Sequence, residues 1–74
     1  MTETFLDARK LLCPMPVIRL QNTIKTLDPG LRVRIVCTDP GTLHDIPTWC
    51  RLYGHKIVML EETSEEIQFL VEVV

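Results

Sequence analysis

The stretch CPMPVIRLQNTIKTLDPG, residues 13–30, decides the fold. Val17, Leu20, Ile24 and Leu27 recur at three- and four-residue steps, with Ile18 beside them. Arg19, Asn22, Lys25 and Thr26 point the other way. That periodicity predicts an amphipathic helix over residues 14–27. Pro14 suits the first helical turn, where its missing N–H costs nothing, and Asp28-Pro29-Gly30 stops the helix.

The segments on either side set the class. TFLDA, residues 4–8, is short and β-prone and runs into a polar loop. LRVRIVCT, residues 31–38, alternates Leu31, Val33, Ile35 and Cys37 against Arg32, Arg34, Val36 and Thr38. This is the pattern of a half-buried strand. A strand–helix–strand crossover makes the two strands parallel and is right-handed. TDPGT, residues 38–42, then turns the chain. Leu43, Ile46, Trp49, Cys50 and Tyr53 follow helical spacing, and Gly54 suits the position just past a helix end.

Thr42 with Asp45 three residues on resembles a weak capping box. Pro47 leaves the start of this second helix open. Either Asp45 caps it with Pro47 in the first turn, or it begins at residue 43 and bends. KIVMLEE (56–62) and IQFLVEVV (67–74) read as strands joined by TSEE. The order βαβαββ predicts an α+β two-layer sandwich: a four-stranded mixed sheet with both helices packed on one face.

A chain of 74 residues fits one domain, 1–74, and 46% hydrophobic content argues against disorder. Its apolar runs fall far short of the ~20 residues that span a bilayer, so no membrane partner is expected. The acidic start, Met-Thr-Glu-Thr-Phe-Leu-Asp, has no basic segment of the kind that opens a signal peptide. An odd count of three cysteines sits poorly with a secreted disulfide framework. Together these features point to the cytoplasm.

Net charge of −2 supplies no general field for nucleic acid, so direct binding to it is not expected. The charge is uneven, however. Arg9, Lys10, Arg19, Lys25, Arg32 and Arg34 lie in the first half, whereas Glu61, Glu62, Glu65, Glu66 and Glu72 crowd the last fourteen residues. This asymmetry fits either a mildly basic face that meets an acidic partner or ordinary solvation of the surface.

Cys13 is the residue that suggests chemistry. With Pro14 at the first helical position, Cys13 is the N-cap, where free N–H groups and the helix dipole favour negative charge. A cysteine so placed has a pKa below the free value of about 8.5, and its thiolate is a nucleophile. A persulfide would gain from the same field. Pro14 and Pro16 fix the path of the chain and hold the sulfur outward. The competing reading is a small buried hydrophobe beside Leu11 and Leu12.

The other candidates read as structure. Cys37 shares the Val33 and Ile35 face of its strand, and Cys50 shares a helix face with Ile46 and Tyr53, so both belong to the core. Trp49 reads as core as well, and Asp45 reads as a helix cap in preference to a group that orients the start of the second helix near Cys13. His44 and His55 flank the second helix and are expected in solvent. Neither the cysteines nor the histidines show paired ligand spacing, so neither a metal nor a cofactor is expected.

LDARKLLCPMPVIRL followed by TDPGTLHDIPTWCRLYGH resembles the TusA (SirA-like) family of small sulfur-carrier proteins. Its signature is a C-P-x-P motif opening the first helix and an Asp-Ile-Pro element opening the second. The resemblance covers nearly the whole chain in matching order. It implies a βαβαββ sandwich and a sulfurtransferase that works as a relay component. Cys13 would accept sulfane sulfur from a cysteine desulfurase or rhodanese-type donor and pass it, as a persulfide, to a downstream acceptor protein. Family members feed tRNA thiolation, molybdenum-cofactor maturation or sulfur oxidation. Arg9, Lys10, Arg19 and Arg51 are the candidate docking charges.

The chain departs from the family at Lys10, where glycine is usual. Glycine there would supply a backbone conformation that lysine adopts reluctantly.

Two readings from other classes stand beside the relay. One is a non-catalytic interaction or regulatory module with a structural thiol, which calls for an unreactive Cys13. The other is a nucleic-acid binder using Arg32 and Arg34, which calls for steeply salt-dependent affinity.

Overall fold

The computed structural model describes residues 3–74. Six elements follow in order: β1 (Glu3–Ala8), α1 (Met15–Ile24), β2 (Arg32–Cys37), α2 (Thr42–Tyr53), β3 (Lys56–Glu62) and β4 (Ile67–Glu72). The strands form one mixed sheet in the order β1-β2-β4-β3. β1 runs parallel to β2, with Leu6 opposite Ile35, and β4 runs antiparallel to both β2 and β3. The hairpin places β4 between β2 and β3, so the crossover through α2 joins strands that are not neighbours.

Alternation along the strands builds the core. Val33, Ile35 and Cys37 of β2 and Ile67, Phe69 and Val71 of β4 turn to the helical side and are buried. Leu20 and Ile24 of α1 and Ile46 and Cys50 of α2 close over them in one cluster. Both helices therefore cover the same face, as the two-layer reading expects. Cys37 and Cys50 belong to the core, as their spacing implied. Phe69, wholly buried on an inner strand, is the largest side chain in it.

The open face of the sheet carries a charged row. Glu3, Arg32, Glu72 and Lys56 lie side by side across the four strands, alternating in sign. Arg32 pairs with Glu72 at 3.3 Å, and Arg34 reaches Glu3 at 2.8 Å and Gln68 at 3.2 Å. On this face the pairing of Arg32 and Arg34 favours the reading of an ordinarily solvated surface over that of a basic face. Folding sets Glu3 of β1 and Glu72 of β4 against the cations of β2, so Arg34 and Arg32 are each paired within the chain.

The helix boundaries also shift. α1 begins at Met15, one residue later than expected, and ends at Ile24. Its first helical bond runs from the Ile18 N–H to the Pro14 carbonyl, so Pro14 is the N-cap and Cys13 stands one residue outside the helix. A preceding turn, closed by the Met15 N–H on the Leu12 carbonyl at 2.8 Å, carries Cys13. The Cys13–Pro14 peptide is cis.

α2 starts at Thr42 with Gly41 as N-cap, and Pro47 lies inside the helix. The capping box does not form. The Thr42 hydroxyl donates instead to the Asp39 carbonyl at 2.8 Å, which leaves the Asp45 side chain free for another partner. Gly54 closes α2 in the left-handed conformation, φ +79°, with the His55 N–H donating to the Cys50 carbonyl at 2.9 Å.

Candidate functional site

Cys13 is exposed, while the other two thiols are buried. Three segments meet around it: its own turn ahead of α1, the β2–α2 loop, and the first two turns of α2. Asp39 of the loop ties them together. One carboxylate oxygen accepts the Cys13 backbone N–H at 2.9 Å, and the other accepts the Gly41 N–H at 3.1 Å. The turn that carries the thiol is thus fastened to the start of α2 through one side chain.

Asp45 completes the arrangement. Its Oδ2 lies 2.6 Å from the Cys13 Sγ and accepts the S–H. This corrects the reading of Asp45 as a helix cap, because no side-chain cap exists at α2 and the carboxylate faces the sulfur. It also corrects the expected ionisation. The Cys13 pKa is raised, first by the hydrogen bond to Asp45, then by partial desolvation and by the charges of Asp45 and Asp39. A position outside the helix, with carboxylates nearest, reverses the sign expected for an N-cap thiol.

Burial raises the remaining thiols further, Cys37 and Cys50 each to about 11. Neither is fit to act as a nucleophile near neutral pH.

An apolar groove of about 270 Å³ opens directly beside the sulfur. Pro14 and Val17 form one wall, and Asp45, Thr48, Trp49 and Leu52 form the other. The α2 wall has helical spacing, since Asp45 and Trp49, like Thr48 and Leu52, are four residues apart. That stripe is visible in the sequence as a second face of the helix, adjoining the Ile46 and Cys50 face at Trp49. Trp49, read as core, is only half-buried and serves both surfaces. Leu52, with 76% exposure, extends the groove's apolar lining into solvent, and Leu12, next to Cys13 in the chain, is 74% exposed.

His44 is exposed as expected and borders the groove. His55 is not free in solvent: it stacks on Trp49 with ring centroids 5.3 Å apart, and its Nδ1 accepts the Val74 N–H at 3.2 Å. Pro16 is buried beneath the turn, whereas Pro14 lines the groove. None of Arg9, Lys10, Arg19 and Arg51 lines it. Arg9 is held by Asp7 at 3.0 Å and Glu66 at 3.4 Å, and with Lys10 it borders a separate depression of about 550 Å³. Arg19 and Arg51 are exposed on the helices. Among the described residues no group of three or more histidine, cysteine or acidic side chains is placed to hold a metal ion. No described helix is long and apolar enough to cross a membrane.

Fold and site together define a small α+β protein that presents one thiol beside an apolar groove. The family model described as Sulfurtransferase TusA matches residues 4–73. A Sulfur carrier protein TusA from Pseudomonas aeruginosa is 42% identical over 62 residues, covering 84% of this chain and 78% of the relative. One from Pseudomonas syringae pv. tomato is 40% identical over 68 residues, with coverage of 92% and 79%. Another, from Pseudomonas putida, is 37% identical over 62 residues, with coverage of 84% and 78%. The chain belongs to the TusA family.

Proposed function

We propose that this protein is a sulfur carrier which accepts sulfane sulfur on Cys13 as a persulfide and passes it to an acceptor protein. The observation that carries the reading is that Cys13 alone of the three cysteines is exposed, at the mouth of an apolar groove. A relay thiol has to be reached twice, once by a donor's persulfide and once by an acceptor, so exposure is required of it. The names of the family relatives support the same role.

The donor is a cysteine desulfurase or a rhodanese-type protein, and the pathway served is tRNA thiolation, cofactor maturation or sulfur oxidation. Reduced, unpaired cysteines suit the cytoplasm. Pro14 and Pro16 shape the turn, and Arg9, Lys10, Arg19 and Arg51 steer encounter from outside the groove. The competing reading, an interaction or regulatory module with a structural thiol, calls for a Cys13 that takes up no sulfur.

Intact-mass measurement tests the proposal. After incubation with a desulfurase and cysteine, the protein gains the mass of one sulfur atom, and a thiol reductant removes it. Equal loading of Cys13→Ser would refute the assignment.

A further inference from the structure

We propose that Asp45 holds the Cys13 proton in the resting protein and takes it up when the sulfur attacks, acting as the proton acceptor of the transfer. This deepens the carrier reading and rests on it. The geometry admits little else. Two anions 2.6 Å apart would repel strongly, so a single proton is shared between the Cys13 Sγ and Asp45 Oδ2. The charged or titratable groups facing the sulfur are Asp45 and His44 of α2 and Asp39 of the β2–α2 loop. The Leu11–Val17 segment contributes no other charge. Asp39 already accepts two backbone N–H groups, which leaves Asp45 as the acceptor for the S–H.

The step balances. As the Cys13 Sγ attacks the outer sulfur of a donor persulfide, R–S–SH, its proton moves to Asp45. A new S–S bond forms at Cys13, and the donor's S–S bond breaks. The electron pair leaves with the inner sulfur, and Asp45 returns its proton to that departing thiolate. The products are Cys13–S–SH and R–SH, with Asp45 ionised again and no net oxidation or reduction. At rest the same contact keeps the exposed sulfur from reacting indiscriminately, since the thiol is a far weaker nucleophile than the thiolate.

The test compares two reactions of Cys13. Alkylation by iodoacetamide across pH reports the proton held at rest. The wild-type midpoint lies above that of a cysteine in an unstructured peptide. Asp45→Asn lowers the midpoint and speeds alkylation at pH 7 at least about threefold. Asp45→Glu, which keeps a carboxylate, stays closer to the wild type. Sulfur uptake from glutathione persulfide, read by intact mass, reports the proton acceptor. Iodide leaves without a proton, whereas a thiolate receives one, so the ratio of uptake to alkylation falls about tenfold or more in Asp45→Asn.

A wild-type midpoint at or below the peptide's overturns the proposal without recourse to any variant, as does an Asp45→Asn protein that alkylates like the wild type. An unchanged ratio overturns the acceptor role. Wild-type protein that takes up no sulfur, yet alkylates as described, overturns the carrier reading and the transfer step while upholding the hold on the resting proton.

Discussion

The backbone N–H of Lys10 donates to the Thr38 hydroxyl at 2.8 Å, tying the end of β1 to the end of β2 just before the thiol turn. To make this bond Lys10 takes φ +66°, in the left-handed region that side chains bearing a Cβ disfavour. The family's usual glycine fits that conformation. Lys10→Gly is therefore expected to stabilise the protein by about 0.5 kcal/mol, the relief of strain being partly offset by a freer unfolded chain. The melting temperature should rise by about 2–4 °C. A lower melting temperature in calorimetry would contradict the account.

Gly54 presents the opposite substitution. It closes α2 at φ +79°, and a Cβ built there meets nothing within 4 Å. The cost of Gly54→Ala is thus conformational alone, about 1 kcal/mol. Urea denaturation should show a lower midpoint with an unchanged slope, because no buried surface is altered.

Phe69 belongs to the cluster in which the sheet meets both helices and is wholly buried. Truncation to alanine removes about 3–5 kcal/mol. A chain of this size has a total stability of roughly 4–11 kcal/mol. Phe69→Ala should therefore be marginally folded or unfolded by circular dichroism at 37 °C, whereas Phe69→Leu remains folded. A fully folded alanine variant would show that the core collapses around the gap.

Alkaline stability follows from the buried thiols. Cys37 and Cys50 hold their protons up to about 11 in the folded chain, against an ordinary value of 9.0. Their folded pKa is raised, so the stability they contribute is fully present below pH 9.0 and is lost as pH rises through about 11. Unfolding free energy measured by urea should fall across that window. It should fall less steeply in Cys50→Ala, which is less stable at pH 7 but lacks one titrating group. Equal slopes would show that Cys50 does not contribute.

Much of the fold was legible because it depends on local periodicity. The alternation of Val33, Ile35 and Cys37 and the helical recurrence of Val17, Leu20 and Ile24 are imposed by the chain's own geometry. The exposed sulfur of Cys13 was legible too, from the prolines around it. Its electrostatics were not. Cys13 and Asp45 are separated by 32 residues, and only the docking of the thiol turn against the start of α2 brings them together. The one-residue shift of the N-cap was equally hidden, since two prolines two residues apart fit more than one register. Arg32 and Arg34 read as free cations for the same reason: the acids that neutralise them arrive from strands β1 and β4.

The position of β4 has a consequence for synthesis. It is the last strand of the described chain, yet it lies between β2 and β3 and supplies the antiparallel partner of each. A nascent chain emerging from the ribosome therefore exposes Val33, Ile35 and the apolar faces of both helices until residues 67–73 have cleared the exit tunnel. The core of residues 3–74 thus cannot close before β4 is available to it.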